Sequence, residues 1–434
     1  MYRPTQQCAD YVPDVSMADY RYELPESYIA QYPASPRGSS RLLVASGSLF
    51  QGRFADLPDL LPNDVHMVCN ASQVFAARIF AHAEGHGPVE VMFLSPEPAQ
   101  DPALMMTQMG HGQTWRCMVR LHMDSLGGQL VACKGAGASQ IELTLTVERL
   151  HSVWQEDGET DGVEATLRMS CSEPLSAKAL FECLGTVPLP PYMRREIEEA
   201  DVETYQTVFA SGDVIGSVAA PTAGLHFTKD VVQSLQAKGV RWSQCALHVG
   251  AGTFRPVTAA KIEQHSMHTE MFSMDLDQLQ DVIASLQSGR SVIAVGTTSA
   301  RVLESLYWLG VAVNRYSASG MCLGQWDAYA TQKELGSGAP TAAVALQRLY
   351  DAVSKQGCKI VQGSTQLCIV PGYKFQVCNA LLTNFHQPDS TLMLLVSAFA
   401  GKQTVMATYQ HALDNNFRFL SYGDATLLFR AGAL

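Results

Sequence analysis

The chain has 434 residues, of which 47% are hydrophobic and 16% charged, enough for about two or three domains with a sizeable core. Its formal net charge of −11 argues against a nonspecific nucleic-acid binder, although an acidic body can carry a local basic groove. The eleven cysteines include no Cys-x-x-Cys pair, which favours free thiols over a disulfide framework or a zinc ribbon. No apolar stretch is long enough to span a membrane and no signal peptide is visible, so we expect a cytoplasmic protein.

The pattern of apolar and polar residues changes twice in the N-terminal part of the chain. Residues 1–18 are irregular and polar and are expected to form a loose leader, and Arg41–Val44 is predicted as a strand. Between residues 64 and 171, short segments of alternating apolar and polar residues are separated by glycine-rich turns, which is typical of a small antiparallel β-barrel or sandwich. The strand candidates are Val89–Leu94, Trp115–Leu121, Gln129–Cys133, Ile141–Val147 and Val163–Met169.

After residue 172 the pattern becomes α/β. A helical period ended by glycine predicts helices at Lys229–Lys238, capped by Thr228, and at Asp275–Ser288. Further candidates are strands at Trp242–Val249 and Ser291–Val295, a helix near Ala300–Leu309 and a weaker helix at Ala407–Asn415. Residues 311–365 resemble a surface excursion. We therefore predict an α/β main domain built from residues 19–63 and 172–434, with an inserted antiparallel β-barrel domain at residues 64–171 forming a mobile lobe.

Segments dense in glycine, histidine, threonine and asparagine follow several predicted strands, where ligands of open α/β sheets usually lie. Gly250 and Gly252 would let the backbone approach a ligand closely. Thr297, Thr298 and Ser299 fit either a helix cap or a set of hydroxyls and amides that bind a polar ligand. The dense segments are residues 218–228, 247–256, 265–270, 295–301, 382–391 and 418–424.

His268 and Glu270 lie two residues apart, so an extended backbone would place them on one face. Such a pair can act as acid and base, although a simple surface pair fits the spacing equally well. His265 and His268 have no accompanying metal-ligand set, and we expect no metal site. The sequence also contains no dinucleotide glycine motif, Walker loop or nucleophile elbow. By themselves, the residues indicate an α/β enzyme that binds a polar small molecule.

Ten segments, in one order over about residues 20–430, resemble the S-adenosylmethionine:tRNA ribosyltransferase-isomerase family. They are Tyr22–Pro25, Ser40–Val44, Pro188–Tyr192, Tyr205–Val208, Ala219–Thr228, Leu247–Val257, Val295–Arg301, Pro371–Phe375, Leu382–His386 and Ser421–Asp424.

This resemblance implies that S-adenosylmethionine is a ribosyl-donating co-substrate and that no separate cofactor is needed. The acceptor would be 7-aminomethyl-7-deazaguanine at the wobble position of a tRNA anticodon, and the products epoxyqueuosine-tRNA, adenine and methionine. It implies catalytic roles for His226, His268 and Glu270. The implied substrate-binding residues are Thr222, His248, Gly250, Gly252, Thr253, Arg255, Thr297, Thr298, Ser299, Arg301, Asn384, His386, Tyr422 and Asp424.

The predicted small domain departs from the family pattern. Where the family usually has Asn-Asp-Thr-Arg, this chain has Asn70-Ala71-Ser72-Gln73, and few basic residues follow Trp115. Both changes would weaken contacts with tRNA phosphates. The alternatives are therefore a related enzyme that uses S-adenosylmethionine with another acceptor, or a module that binds a nucleotide or RNA without catalysis. We expect a monomer without membrane contact in each case.

Overall fold

The computed structural model describes residues 12–83, 85, 87–120, 129–134, 140–156, 159–250, 257, 259–315 and 320–431. In chain order the strands are β1 (Arg41–Ala45), β2 (Leu49–Arg53), β3 (Val65–Asn70), β4 (Gln73–Val74), β5 (Arg78–His82), β6 (Pro88–Pro96), β7 (Thr114–Val119), β8 (Gln129–Lys134), β9 (Ile141–Glu156), β10 (Glu159–Cys171), β11 (Gly185–Thr186), β12 (Ile215–Ser217), β13 (Arg241–Leu247), β14 (Glu270–Asp275), β15 (Ser291–Val295), β16 (Cys322–Leu323), β17 (Ile360–Thr365), β18 (Ala380–Asn384) and β19 (Ala425–Phe429). The helices are α1 (Leu57–Leu60), α2 (Pro102–Thr107), α3 (Ala177–Leu184), α4 (Asp201–Thr204), α5 (Lys229–Ala237), α6 (Leu276–Gln287), α7 (Thr297–Val311), α8 (Asp327–Leu335), α9 (Ala342–Lys355), α10 (Thr391–Ala400) and α11 (Lys402–Asp414).

The main domain is built on a mixed ten-stranded sheet with the order β16-β17-β14-β13-β3-β15-β18-β19-β1-β2. Its centre consists of β13, β3, β15 and β18, which are parallel to one another. A large apolar core that includes residues of α6, α7, α9, α10 and α11 covers one face, and a smaller core that includes residues of α5 covers the other. Two covered faces explain why the central strands are almost entirely apolar.

The second unit is an antiparallel barrel of β5, β6, β7, β10, β9 and β8, closed by pairing between β5 and β8. Inward-facing residues alternate along its strands, as the burial pattern of β7 shows, and Trp115 and Phe93 are fully buried inside. A large α/β domain with a small antiparallel barrel is the predicted fold class, which is confirmed.

The predicted start of the insert at residue 64 is wrong. β3 lies in the middle of the main sheet, between β13 and β15, and all six of its residues are buried. The barrel strands begin only at Arg78. Beyond the other predicted border, residue 171, α3 still packs into the barrel core through Leu180 and Phe181. A short apolar strand has the same pattern of residues in the main sheet and in the barrel, so the sequence did not reveal the boundary between the two domains.

Two further expectations are corrected. The end of the predicted leader is not loose, because Val15 and Met17 are buried in the main core and the backbone of Met17 bonds to Ala260. Residues 1–11 lie outside the described residues. The region 311–365 is no surface excursion, because Leu346 and Leu349 of α9 pack into the same core and β17 pairs with β14.

The chain passes from the main sheet toward the barrel through a clamp formed by Asn70. Its side-chain oxygen accepts bonds from the amides of Ser72 at 3.0 Å and Leu247 at 3.2 Å, and its amide nitrogen donates to the Leu247 carbonyl at 3.1 Å. Asn70 therefore fixes the end of β13, immediately before His248. It is a structural residue whose hydrogen bonds are satisfied inside the protein.

Replacing Asn70 by aspartate should destabilise the protein. Aspartate has the same shape, but its second oxygen would face the Leu247 carbonyl, where Asn70 now donates. A buried acceptor without a donor costs about 1–3 kcal/mol. Urea unfolding should show this loss for Asn70→Asp and almost none for Asn63→Asp at an exposed position. Equal stability of the two variants would contradict the clamp.

Candidate active site

The candidate site lies at one edge of the main sheet. β13, β3, β15 and β18 run parallel, so their carboxyl ends meet at the same edge, as in other open α/β sheets. Asn70, His248, Gly296 and Asn384 lie at or directly after these ends. Because β14 is antiparallel to β13, its first residue, Glu270, reaches this edge too. The topology thus brings together groups that are far apart in the chain.

A cleft of about 420 Å³ opens between this edge and the barrel. One wall comes from the main domain, and the other comes from barrel residues 94–100 together with Arg116, Met118 and Glu164. Both walls belong to one chain. The predicted site residues that line it are His248, Gly250, His268, Glu270 and Arg301.

Two charged residues that line this cleft, Arg301 and Glu270, form a buried ion pair. The Nη1 atom of Arg301 contacts a carboxylate oxygen of Glu270, and its Nε donates to the Leu367 carbonyl at 3.3 Å. The third guanidinium nitrogen, Nη2, is buried and has no hydrogen-bond partner within the described part of the chain. Arg301 therefore retains one charged donor, Nη2, for a ligand carboxylate.

His248 connects the two walls of the cleft. Its Nε2 lies 3.5 Å from Oδ1 of Asp101, the residue that caps α2 at the barrel end. The other carboxylate oxygen of Asp101 accepts a bond from Gln362 at 3.0 Å. Burial opposes ionisation of Asp101, but His248 and the amides of Ala103 and Leu104 outweigh it and lower the pKa of this carboxyl. Asp101 thus attaches the barrel side to the main sheet beside the cleft.

His268 is exposed at the mouth of the same cleft, and His265 is half-buried beside it. Burial, helped by the neighbouring His268, lowers the pKa of His265, so this imidazole is neutral at pH 7. His268 and Glu270 line one cleft, as the spacing of two residues predicts for an extended segment. Their catalytic roles stay a prediction.

The charged side chains on the barrel wall of the cleft are paired with side chains of opposite charge. Glu97 accepts a bond from Thr166 at 2.9 Å and lies 3.5 Å from Arg149, while Arg116 contacts Glu164. Each of the five arginines in the barrel lies close to a glutamate. The pairs are Arg78 and Arg120 with Glu90, Arg116 with Glu164, Arg149 with Glu97, and Arg168 with Glu148.

A smaller chamber adjoins the cleft and shares Ser390 and Leu392 with it. It lies where β15 and β18 end, and small or apolar residues such as Ala219 and Val249 form much of its wall. The chamber lacks acidic and basic side chains among its lining residues apart from His386, whose pKa burial lowers to about 3. The predicted site residues in this chamber are Thr222, Thr297, Thr298, Asn384 and His386.

His226 lies away from both spaces, and its role in proton transfer stays a prediction. It lines neither the cleft nor the smaller chamber, and both ring nitrogens are occupied, Nδ1 by Ser40 at 2.8 Å and Nε2 by Asn384 at 3.1 Å. Phe54 stacks on the ring at 5.1 Å. Burial, assisted by the positive charges of Arg418 and Arg37, lowers the pKa of His226 to about 3.

Three predicted binding residues make hydrogen bonds inside the protein, and their binding roles stay a prediction. Ser299 is buried within α7, where its hydroxyl donates to the Val295 carbonyl at 2.8 Å. Tyr422 bonds to Thr204 at 3.2 Å, and Asp424 accepts the amides of Arg41 and Arg418 at 2.7 and 2.8 Å. Gly252, Thr253 and Arg255 lie outside the described residues.

Sequence reasoning missed the barrel side of the site. Asp101 could have been found, because Asp followed by Pro102 is a typical helix start. Glu97, Arg116 and Glu164 carried no signal, since alternating polar residues on a barrel strand usually face solvent.

Metal-binding clusters, cysteines and apolar helices can be located among the described residues. They contain no cluster of three or more histidine, cysteine, aspartate or glutamate side chains able to hold a metal. The ten cysteines among them are all free, and five of these are buried. In the described part of the chain, no helix has the length and apolarity required to cross a membrane.

Fold and site together define an α/β protein with a barrel-covered cleft at the carboxyl edge of its sheet. A family model described as "Queuosine biosynthesis protein" matches residues 17–428. Among the relatives, a protein named S-adenosylmethionine:tRNA ribosyltransferase-isomerase from Nitratidesulfovibrio vulgaris is 38% identical, covering 96% of this chain and 98% of its own. Proteins with the same name from Xanthomonas oryzae pv. oryzae and Treponema denticola are 36% and 34% identical, covering 95% and 94% of this chain and 96% and 99% of their own. The chain belongs to this family, and the predicted resemblance is confirmed.

A crystal structure titled S-adenosylmethionine tRNA ribosyltransferase, from Thermotoga maritima, aligns with a TM-score of 0.43 at 23% identity, covering 94% of this chain and 99% of that chain.

Three buried histidines should make stability fall in mild acid. Burial lowers the pKa of His66 to about 4 and those of His226 and His386 to about 3, from an ordinary value of 6.5. Above pH 6.5 they are neutral in the folded and unfolded chain. Below it the unfolded chain binds protons that the folded chain does not, so the free energy of unfolding decreases, by up to about 1.4 kcal/mol per pH unit for each histidine.

Urea unfolding between pH 7 and pH 5 measures this slope. His66→Gln should reduce the slope by about one histidine's share, whereas His82→Gln, on an exposed barrel position, should keep the wild-type slope. A stability that stays constant over this pH range would contradict the assignment.

Proposed function

We propose that this protein transfers and isomerises the ribosyl group of S-adenosylmethionine onto 7-aminomethyl-7-deazaguanine at the wobble position of a tRNA anticodon. The products are epoxyqueuosine-tRNA, adenine and methionine. Relatives that carry this activity in their names are 34–38% identical over nearly their whole length. The observation that carries the proposal is the Arg301–Glu270 pair in the cleft between sheet and barrel.

The ion pair would bind the methionine end of the donor. Arg301 has an unpaired guanidinium nitrogen for the carboxylate, and Glu270 supplies negative charge near the sulfonium and the amino group. The bond between Arg301 and Glu270 holds each group in place before the donor arrives, so little ordering is required on binding.

Proton transfer would fall to the histidines at the cleft. The sulfonium acidifies the adjacent ribose carbon, where a base removes a proton. The bond to adenine breaks and an acid protonates the departing base. The acceptor amine forms a bond to the ribosyl group and loses a proton, and methionine leaves with the electron pair of its bond to the ribosyl carbon. We assign the base to His268, because it lines the cleft beside Glu270 and imidazole is the side chain that most often acts as a general base. Neither a metal nor a separate cofactor enters this scheme.

The acceptor tRNA would approach from the open side of the cleft. Because the barrel arginines are already paired with glutamates, few phosphate contacts are expected there, and binding should depend only modestly on salt. Recognition would then rest on the modified base. Both walls of the cleft come from one chain, which supports action as a monomer, and a tRNA substrate supports a cytoplasmic location.

Adenine release tests the proposal directly. We expect adenine to appear from S-adenosylmethionine only when the tRNA carries 7-aminomethyl-7-deazaguanine, and the same tRNA with guanine at that position should give none. Release with the free base alone would favour the alternative of another acceptor, which the names of the relatives do not favour. If no adenine forms with any acceptor, the proposed function fails.

Arg301→Lys and His268→Gln should affect different kinetic constants. The lysine keeps the charge but loses the guanidinium fork, so KM for S-adenosylmethionine should rise roughly 10- to 100-fold, equivalent to about 1.5–3 kcal/mol for a charged hydrogen bond. The glutamine removes the base, so kcat should fall roughly 100-fold or more at similar donor affinity.

Steady-state kinetics and donor titration separate the two effects. Arg315→Lys, which alters an exposed pair with Glu334, is the matched control and should behave like the wild type. A loss below tenfold in kcat for His268→Gln would demote this residue to positioning. Unchanged donor affinity in Arg301→Lys would remove the carboxylate assignment.

A further inference from the structure

We propose that the smaller chamber binds the adenine ring of the donor and that Oδ1 of Asn384 accepts a hydrogen bond from its exocyclic amine. This inference rests on the proposed function and assigns one part of the co-substrate to one part of the site. It is carried by the way in which neighbouring groups orient the Asn384 amide.

The orientation of this amide is fixed by backbone carbonyls. Nδ2 of Asn384 lies 2.9 Å from the carbonyl oxygen of Leu420 and 3.3 Å from that of Ser421. Carbonyl oxygens accept hydrogen bonds and cannot donate them, so the NH₂ end of the amide must face them. Oδ1 therefore points away from this pair of acceptors.

His226 reinforces the same orientation. Its Nε2 lies 3.1 Å from Nδ2 of Asn384, and because that nitrogen is a donor, Nε2 must accept. The ring proton then resides on Nδ1 and is donated to the Ser40 hydroxyl at 2.8 Å. Burial keeps the imidazole neutral by lowering the pKa of His226 to about 3, so the ring does not acquire a second proton at neutral pH. His226 thus acts through Asn384 as a positioning residue.

The opposite end of the amide has no partner. Asn384 is only 2% exposed and lines the smaller chamber, yet Oδ1 has no hydrogen-bond donor among the described residues. The Thr298 hydroxyl, in the same chamber, is also buried and unpaired. Buried polar atoms are usually satisfied, so these two open positions are available for hydrogen bonds to a ligand in the chamber.

The lining of the chamber indicates a neutral ligand. No carboxylate lines it, so the positive ammonium group of the methionine end would find no counter-charge there. The ammonium is better placed in the cleft beside Glu270. A flat, uncharged ring with an amino group fits both the apolar walls and the acceptor at Asn384, while a ring nitrogen can accept from Thr298.

The two spaces are placed so that one molecule can occupy both. Ser390 and Leu392 line the chamber and the cleft alike. Adenine in the chamber and methionine at Arg301 would leave the ribose between them, where the cleft opens toward the barrel and the acceptor. The cleavable bond to adenine would thus lie at the junction of the two spaces.

Ligand binding to the wild-type protein tests the proposal without any mutation. Calorimetry would compare S-adenosylhomocysteine with S-inosylhomocysteine, in which an oxygen replaces the exocyclic amine. We expect at least about 100-fold weaker binding of the inosyl compound, because its oxygen would face Oδ1 of Asn384 and a buried acceptor would stay unpaired.

Each other outcome has a distinct meaning. Equal affinities for the two compounds would overturn the adenine assignment and leave the proposed function standing. The two compounds could also bind equally well while removal of the homocysteine amino group weakens binding. That result would assign Oδ1 of Asn384 to this amino group and would also overturn the adenine assignment. If S-adenosylhomocysteine itself does not bind, the donor assignment of the proposed function fails.

A variant pair tests the role of the side chain itself. Asn384→Leu preserves the approximate volume and removes the acceptor, so the preference for adenosyl over inosyl ligand should fall from about 100-fold to within about threefold. Asn63→Leu makes the same exchange at an exposed position and should keep the full preference. A full preference in a folded Asn384→Leu protein would overturn the proposal, and the wild-type comparison decides it if that variant does not fold.

Discussion

The parallel pairing of β13, β3, β15 and β18 is the constraint on which the rest of the site depends. Parallel strands end at a common edge, so the sheet collects residues from positions 70, 248, 296 and 384 without any local sequence relation among them. The neighbouring antiparallel strand β14 delivers Glu270 to the same edge. Once the barrel covers that edge, a cleft exists whose polar groups come from strand ends, from α7 and from the connection between β13 and β14.

Charge neutralisation is the second theme of the molecule. Inside the cleft, Arg301 and Glu270 balance each other, and on the barrel every arginine has a glutamate nearby. Under the proposed function, such pairing would reconcile a net charge of −11 with a polyanionic tRNA substrate, because the protein would not need to attract RNA at long range. Discrimination then lies with groups that contact the reacting base and the donor at short distance.

Much of the fold followed from sequence patterns, since periodicity and glycine stops place α5, α6 and β15 within one or two residues. The sheet to which each strand belongs could not be predicted in this way, because β3 is a short apolar strand that fits the main sheet and the barrel equally well. Within the site, the shared cleft of His268 and Glu270 was predictable from their spacing.

The pairing of Glu270 with Arg301 was not predictable, since it depends on the order of strands. Likewise, the sequence predicts a binding role equally for the neighbours Thr298 and Ser299. Only the structure shows that Thr298 lines the chamber while the Ser299 hydroxyl bonds to the Val295 carbonyl. His226 illustrates the same limit, because the sequence does not show that Ser40 and Asn384 occupy both nitrogens of its ring.

The position of β3 ahead of the barrel has a consequence for how the chain folds. The barrel strands pair mainly with strands near them in the chain, whereas β3 must wait for β13 and β15, which lie beyond the barrel. Local contacts form faster than distant ones. On a ribosome, the barrel can therefore close while β3 is still unpaired, and this apolar strand stays exposed until the second half of the chain emerges. During that interval β3 is a place where the nascent chain can associate with another chain or with a chaperone.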